Sequence, residues 1–128
     1  MVKKDKKTLT LIDILDNPVE ELEVPGIGFV NVRCPTTKEK LDAKREANEI
    51  ARGLSDVDKN IEGSRILALK ILQDPKISLQ EYLETNDAKI SIILDTVDIW
   101  YTLKLKELNS PRKELISDFL EQMRELNQ

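Results

Sequence analysis

Residues 19–33 read VEELEVPGIGFVNVR, and this stretch decides the fold. It is the one place where the hydrophobic period is 2. Leu22 and Val24 alternate with Glu21 and Glu23 on a first arm. Val30 and Val32 alternate with Phe29, Asn31 and Arg33 on a second, as on a half-buried strand. Between the arms, Pro25-Gly26 suits the central positions of a type II turn: Pro fixes φ and Gly accepts a positive φ. Gly28 adds a second permissive position, so a four-residue loop is expected. A two-stranded ribbon is marginal in water. Its Leu22/Val24/Val30/Val32 face therefore needs helices or another strand beneath it.

Outward from the hairpin the periodicity is helical. Thr36 with Glu39 is a capping box, and Ala43, Ala47, Ile50, Ala51 and Leu54 make a narrow stripe that stops at Gly53. Ser55 with Asp58 opens a second helix. Val57, Ile61, Ser64, Ala68, Ile71 and Leu72 share its face, Gly63 can split it, and Asp74-Pro75 stops it. Ser78 with Glu81 caps a short helix through Leu83. Asn86 or Asp87 starts the longest helix, to about Leu108, with Ile90, Leu94, Val97, Tyr101, Leu105 and Leu108 on one stripe and Ile92, Ile99 and Leu103 on another side. Asn109-Ser110-Pro111 predicts a break, with Ser110 as the next cap. The last helix carries Leu115, Ile116, Phe119, Leu120, Met123 and Leu126. These suit core packing, a partner groove or self-association. Before the hairpin, residues 8–15 fit either a helix capped by Thr10 or a strand, and Lys-rich residues 1–7 a flexible tail. The expectation is one mainly α domain over residues 1–128. It has a small N-terminal β-hairpin (α+β) at 19–33 and four to five helices within 36–126.

Composition narrows the chemistry. The 128-residue chain has 40% hydrophobic and 34% charged residues and a net charge of -4, which gives no reason to expect nucleic acid as the main partner. Histidine is absent and Cys34 is the only cysteine. Ser-His and Cys-His catalysis, a disulfide within the chain and the common zinc sets are excluded. PGIG lacks the Gly-Lys-Ser/Thr ending of a phosphate loop. Asp95 and Asp98 form a carboxylate pair without a further ligand in view. No catalytic, cofactor or metal site is expected. The charges within Ile90–Leu108 argue against a membrane span. The N-terminus lacks a signal-peptide pattern, so the expected location is cytoplasmic.

One alternative comes from EIARGLSDVDKNIEGSRILAL, residues 49–69, a helix, a Gly-containing break and a second helix. That order suits a small DNA-binding helix-turn-helix regulator. Asp56, Asp58 and Glu62 at the base-reading end oppose it through phosphate repulsion.

The run Val24-Pro25-Gly26-Ile27-Gly28-Phe29-Val30-Asn31-Val32-Arg33, then a polar capping stretch and a Lys/Glu/Ala-rich helix, resembles the N-terminal part of tail assembly chaperones of long-tailed bacteriophages and related proviruses. The resemblance covers residues 19–54, and the helical remainder by architecture alone. It implies a small, cytoplasmic, non-enzymatic protein that self-associates. It also implies that the protein coats the helical tape-measure protein before the tail tube polymerises. There is no catalytic residue to carry over. On this reading self-association is expected at the hairpin, through Leu22, Val24, Ile27, Phe29, Val30 and Val32, whose two strand edges can pair across subunits. Val30→Pro or Val32→Pro should then disrupt assembly before unfolding the helices. Client binding is expected at Ile116, Phe119, Leu120 and Met123.

Overall fold

This computed structural model describes residues 8–127; the Lys-rich stretch 1–7 lies outside them. Among the described residues the order is α1 (Leu11–Leu15), β1 (Glu20–Val24), β2 (Gly28–Val32), α2 (Thr37–Ile50), α3 (Asp56–Ile71), β3 (Leu72–Asp74), α4 (Leu79–Glu84) and α5 (Asp87–Leu126). The chain is mainly α with a small antiparallel sheet near its N-terminus, as the sequence reading expected.

Local signals set the helix starts. Capping boxes at Thr10/Asp13, Thr36/Glu39 and Ser78/Glu81 satisfy the first orphan N–H groups of α1, α2 and α4, and Ser55 caps α3. Residues 11–15 are thus helix, which settles the open choice for 8–15. In the hairpin the Ile27 N–H donates to the Val24 carbonyl at 3.0 Å and Gly26 sits at φ 78°, as a type II turn requires. Val24 pairs with Gly28. The loop is therefore residues 25–27, one residue shorter than expected.

The largest departure is a third strand. Leu72–Asp74 pairs antiparallel with β2, Val32 against Leu72 and Asn31 against Asp74, so the sheet order is β1-β2-β3. The helical stripe through Ile71 and Leu72 hides this strand. Pro75 disfavours the α conformation at Asp74, and three residues are too few to show a period of 2. Only one edge of β2 is therefore free for β1, and the expected open edge on the other side is closed.

Beneath the sheet lies the core. Val24, Val32, Ile71, Leu72, Leu94 and Val97 are fully buried, in one cluster with Val30, Ile90 and Tyr101. Residues 51–55 join α2 to α3. Five residues reach at most about 17 Å, whereas the 14 residues of α2 rise about 21 Å, so the two helices pack antiparallel. Small residues set their approach: Ala43 and Ala47 pack with Ile66, and Gly63 faces Ala47 without splitting α3.

α5 differs from expectation as well. It runs unbroken for 40 residues with Pro111 inside, about 60 Å at 1.5 Å per residue. Ser110 does not cap a new helix; its hydroxyl donates back to the Lys106 carbonyl at 3.0 Å. Pro111 has no N–H for the Glu107 carbonyl, but Glu107 is exposed, where water can supply the donor.

Two substitutions test this architecture. A Cβ at Gly63 meets only the Ala47 Cβ, at 4.0 Å, an ordinary contact. Gly63→Ala should raise stability by about 0.5–1 kcal/mol in urea unfolding. Val32→Pro sits in the central strand, where proline cannot join a ladder, so it should cost at least about 1–3 kcal/mol through an unsatisfied buried backbone group and lower the melting temperature of the whole fold.

Candidate interaction surfaces

The hairpin is tied to α2 by one side-chain pair. Arg33, just past β2, donates its N–H to the Ile71 carbonyl at 3.1 Å. Its guanidinium meets Glu39 through two bonds of 2.9 and 3.1 Å. Glu39 also accepts from the Thr36 N–H at 2.9 Å. Burial works to raise the Glu39 carboxyl, but the Arg33 and Thr36 hydrogen bonds outweigh it and hold the group below its ordinary 4.5.

A second polar cluster lies where α3, α4 and α5 meet. Arg65 lies 3.3 Å from Asp87 and 3.5 Å from Asp95, and the Tyr82 hydroxyl donates to Glu62 at 2.8 Å. Burial pushes the Tyr82 hydroxyl up, with help from Glu62 and against Arg65. These contacts explain the Asp95/Asp98 pair better than a cation does, because Arg65 already serves Asp95. Asp98 is raised by burial first and by Asp95 second. Among the described residues, no group of three or more His, Cys, Asp or Glu is placed to hold a metal.

Grooves are shallow and mixed in charge. One of about 670 Å³ runs between α2 and α3 beside Lys40, Lys44 and Lys59, with Asp56 at its wall. In this helix pair, read above as a possible helix-turn-helix, Asp56 and Asp58 stand exposed at the start of α3. Ile66, Ala68, Leu69 and Ile71 are buried in the core.

The six hairpin residues expected at a subunit contact divide by face. Val24, Val30 and Val32 are buried in the chain's own core and Leu22 is half-buried against it. They supply the floor contact that the ribbon needs, not a surface. Ile27 and Phe29 are exposed. β2 is covered on both edges, so Val30→Pro and Val32→Pro strike the fold itself and cannot probe assembly alone. The outer edge of β1 carries Glu20, Glu21 and Glu23; Glu20 pairs with Lys104 of α5 at 3.1 Å. Two such edges pairing antiparallel would oppose carboxylates.

The four expected client residues lie together. Ile116, Phe119, Leu120 and Met123 follow one another on α5 and are 45%, 60%, 56% and 46% exposed. Apart from Asn109, every residue from Leu105 to Asn127 is exposed, so core packing does not account for this stripe. Sequence reasoning placed Ile92, Ile99 and Leu103 on a separate side of α5 without a role; all three are bare, as are Leu11, Ile12, Ile14 and Leu15 of α1. The signal for the former was already there: the spacing +7, +4 on the face opposite the buried stripe.

Comparison with protein-family models, curated proteins and solved structures finds no match. Among the described residues no helix is long and apolar enough to cross a membrane.

Glu39 gives the pH dependence its sign. Its folded value lies below 4.5, so the unfolded chain takes up this proton first. The stabilisation is complete above 4.5 and is lost as pH falls through the folded value. Glu39→Gln should lower the urea midpoint at pH 7 and flatten the loss of stability below pH 4.5 relative to the unsubstituted chain.

Proposed function

We propose that this protein is a non-enzymatic, self-associating chaperone that holds a long apolar helical client. We assign it the role implied by the resemblance of residues 19–54: a viral tail assembly chaperone that keeps the tape-measure protein soluble in the host cytoplasm. The observation that carries this reading is the bare stripe on the second half of α5. Residues 105–126 offer a rod about 33 Å long at 1.5 Å per residue, with Ile116, Phe119, Leu120 and Met123 as anchors. An amphipathic helical client lays its own apolar face along such a rod through anchors at i, i+3, i+4 and i+7. Ile27 and Phe29 add an exposed apolar corner on the sheet.

Co-expression with the long helical reading frame neighbouring this gene tests the proposal. The client should stay in the soluble fraction and co-purify. Ile116→Ser with Met123→Ser should reduce its recovery at least tenfold, whereas Leu41→Ser, at an exposed position on α2, should leave it unchanged. A client that precipitates equally with and without this protein would refute the chaperone reading.

A further inference from the structure

α5 carries two bare apolar seams, on opposite sides and in successive halves. Its front, at 3.6 residues per turn, bears Ile90, Leu94, Val97 and Tyr101, buried under the chain's own sheet and α3. The same line continues bare through Leu108, Leu115 and Phe119. Its back bears Ile92, Ile99 and Leu103, 48%, 60% and 58% exposed, with Thr96 between them. Beyond Leu103 the back turns polar at Lys106 and Ser110. Front and back seams have identical spacing: Leu108 to Leu115 to Phe119, and Ile92 to Ile99 to Leu103, each stepping by seven and then four. This is the spacing of knobs and holes in paired parallel helices.

The exposed area leaves room for a partner of standard size. The chain exposes 10224 Å², whereas a compact protein of 14.7 kDa exposes about 6,900 Å². The residues outside 8–127 account for at most about 1,300 Å² at the unfolded-chain rate. The remainder, about 2,000 Å², exceeds the roughly 800 Å² that each partner buries in a stable interface.

We propose that the bare front seam of one copy seats on the back seam of a second copy, with the two α5 helices parallel and offset by about sixteen residues, about 24 Å. Leu108, Leu115 and Phe119 then meet Ile92, Ile99 and Leu103 of the neighbour. Glu107, Glu114 and Asp118 line one edge of the front seam, and Leu105, Ile116 and Met123 line the other. The offset brings Glu107 close to level with the neighbour's Lys89 on the facing edge. Arg112 falls level with Thr96, a polar layer of the kind that fixes register at some cost in affinity.

Two-fold pairings fare worse. Front to front in parallel, each copy's sheet and α3 block the approach of the other. Front to front antiparallel, with Leu108 level with the neighbour's Phe119, sets Arg112 against Leu115 in place of Thr96. Back to back antiparallel sets Lys89 level with Lys106 at both ends. Each also covers one seam and leaves the other bare. The offset contact is heterologous, so every interior copy uses both seams and the assembly is open-ended. It gives the self-association in the reading above a site. Ile116, Leu120 and Met123 stay at the flank of the seam, available to a client.

Blocked faces and mixing test this. The front variant is Leu115→Ser with Phe119→Ser, and the back variant is Ile99→Ser with Leu103→Ser; all four positions are exposed, and circular dichroism checks the fold. In light scattering behind size-exclusion chromatography, the unsubstituted chain should grow past dimer with concentration. Each variant alone should be monomeric. An equimolar mixture should give a one-to-one dimer and nothing larger, since each variant keeps one good seam. An unsubstituted chain that stays monomeric, either variant assembling as before, or a mixture that stays monomeric overturns the proposal. Client recovery is measured separately, so loss of the mixed dimer with the client still held removes this contact and leaves the chaperone reading in place.

Discussion

The pairing of Val32 with Leu72 is the constraint on which the rest of the structure depends. A hairpin alone cannot hold itself in water. β3 is only three residues long, yet it makes β2 a central strand, and the Arg33 N–H extends the contact to the Ile71 carbonyl. That contact requires α3 to end at Ile71 and the chain to turn extended at once. Once it does, Val24 and Val32 are pressed onto Leu94 and Val97 of α5, all fully buried. The Arg33–Glu39 pair then ties the end of β2 to the cap of α2, so hairpin and helical hairpin are oriented by adjacent residues of one strand end.

Local rules made much of this legible. Each cap reads from a residue and its third neighbour, and Thr36/Glu39 and Ser78/Glu81 form the boxes that spacing suggests. The type II turn reads from Pro25-Gly26. What failed was non-local. β3 is concealed because Leu72 fits the helical stripe of α3 and only its partner strand makes it extended. Pro111 looked like a helix start because Ser110 precedes it. Ser110 instead bonds to Lys106, within the same helix. Periodicity says that Val24, Val30 and Val32 are covered. It cannot say whether their cover belongs to the same chain or to another, and here it belongs to the same chain. The candidate surface on α5 was half legible: the stripe itself was clear, its exposure was not, since core and interface stripes share one pattern.

α5 shows how one helix can serve two purposes without any change of local structure. Its front line carries apolar residues from Ile90 to Phe119, interrupted at Lys104 and Arg112. Only the cover changes, because the sheet and α3 reach no further than about Lys104, which meets Glu20 of β1. Lengthening a core helix past the edge of its own domain carries the core's packing pattern onto a bare surface, which the proposal assigns to a partner. Such a surface needs no new motif, no bound group and no titrating residue.

The exposed half of α5 also has a folding consequence. A lone helix of about twenty residues is marginal in water, since its stability comes chiefly from tertiary packing of the apolar face. This one also carries Pro111, whose missing N–H and ring clash disfavour a helix interior by about 3 kcal/mol. Its only covalent help is propagation from the packed turns at Val97 and Tyr101, which removes the cost of nucleation but not that of the proline. Helical order beyond Pro111 is therefore coupled to whatever covers Leu115 and Phe119. On the proposed reading, binding supplies the ordering free energy of that segment, so part of the gross contact energy goes into the helix and the net affinity is moderate. Moderate affinity would suit the proposed chaperone, whose client must later be released. A stripe that packed tightly on its own domain would be more stable and could hold nothing.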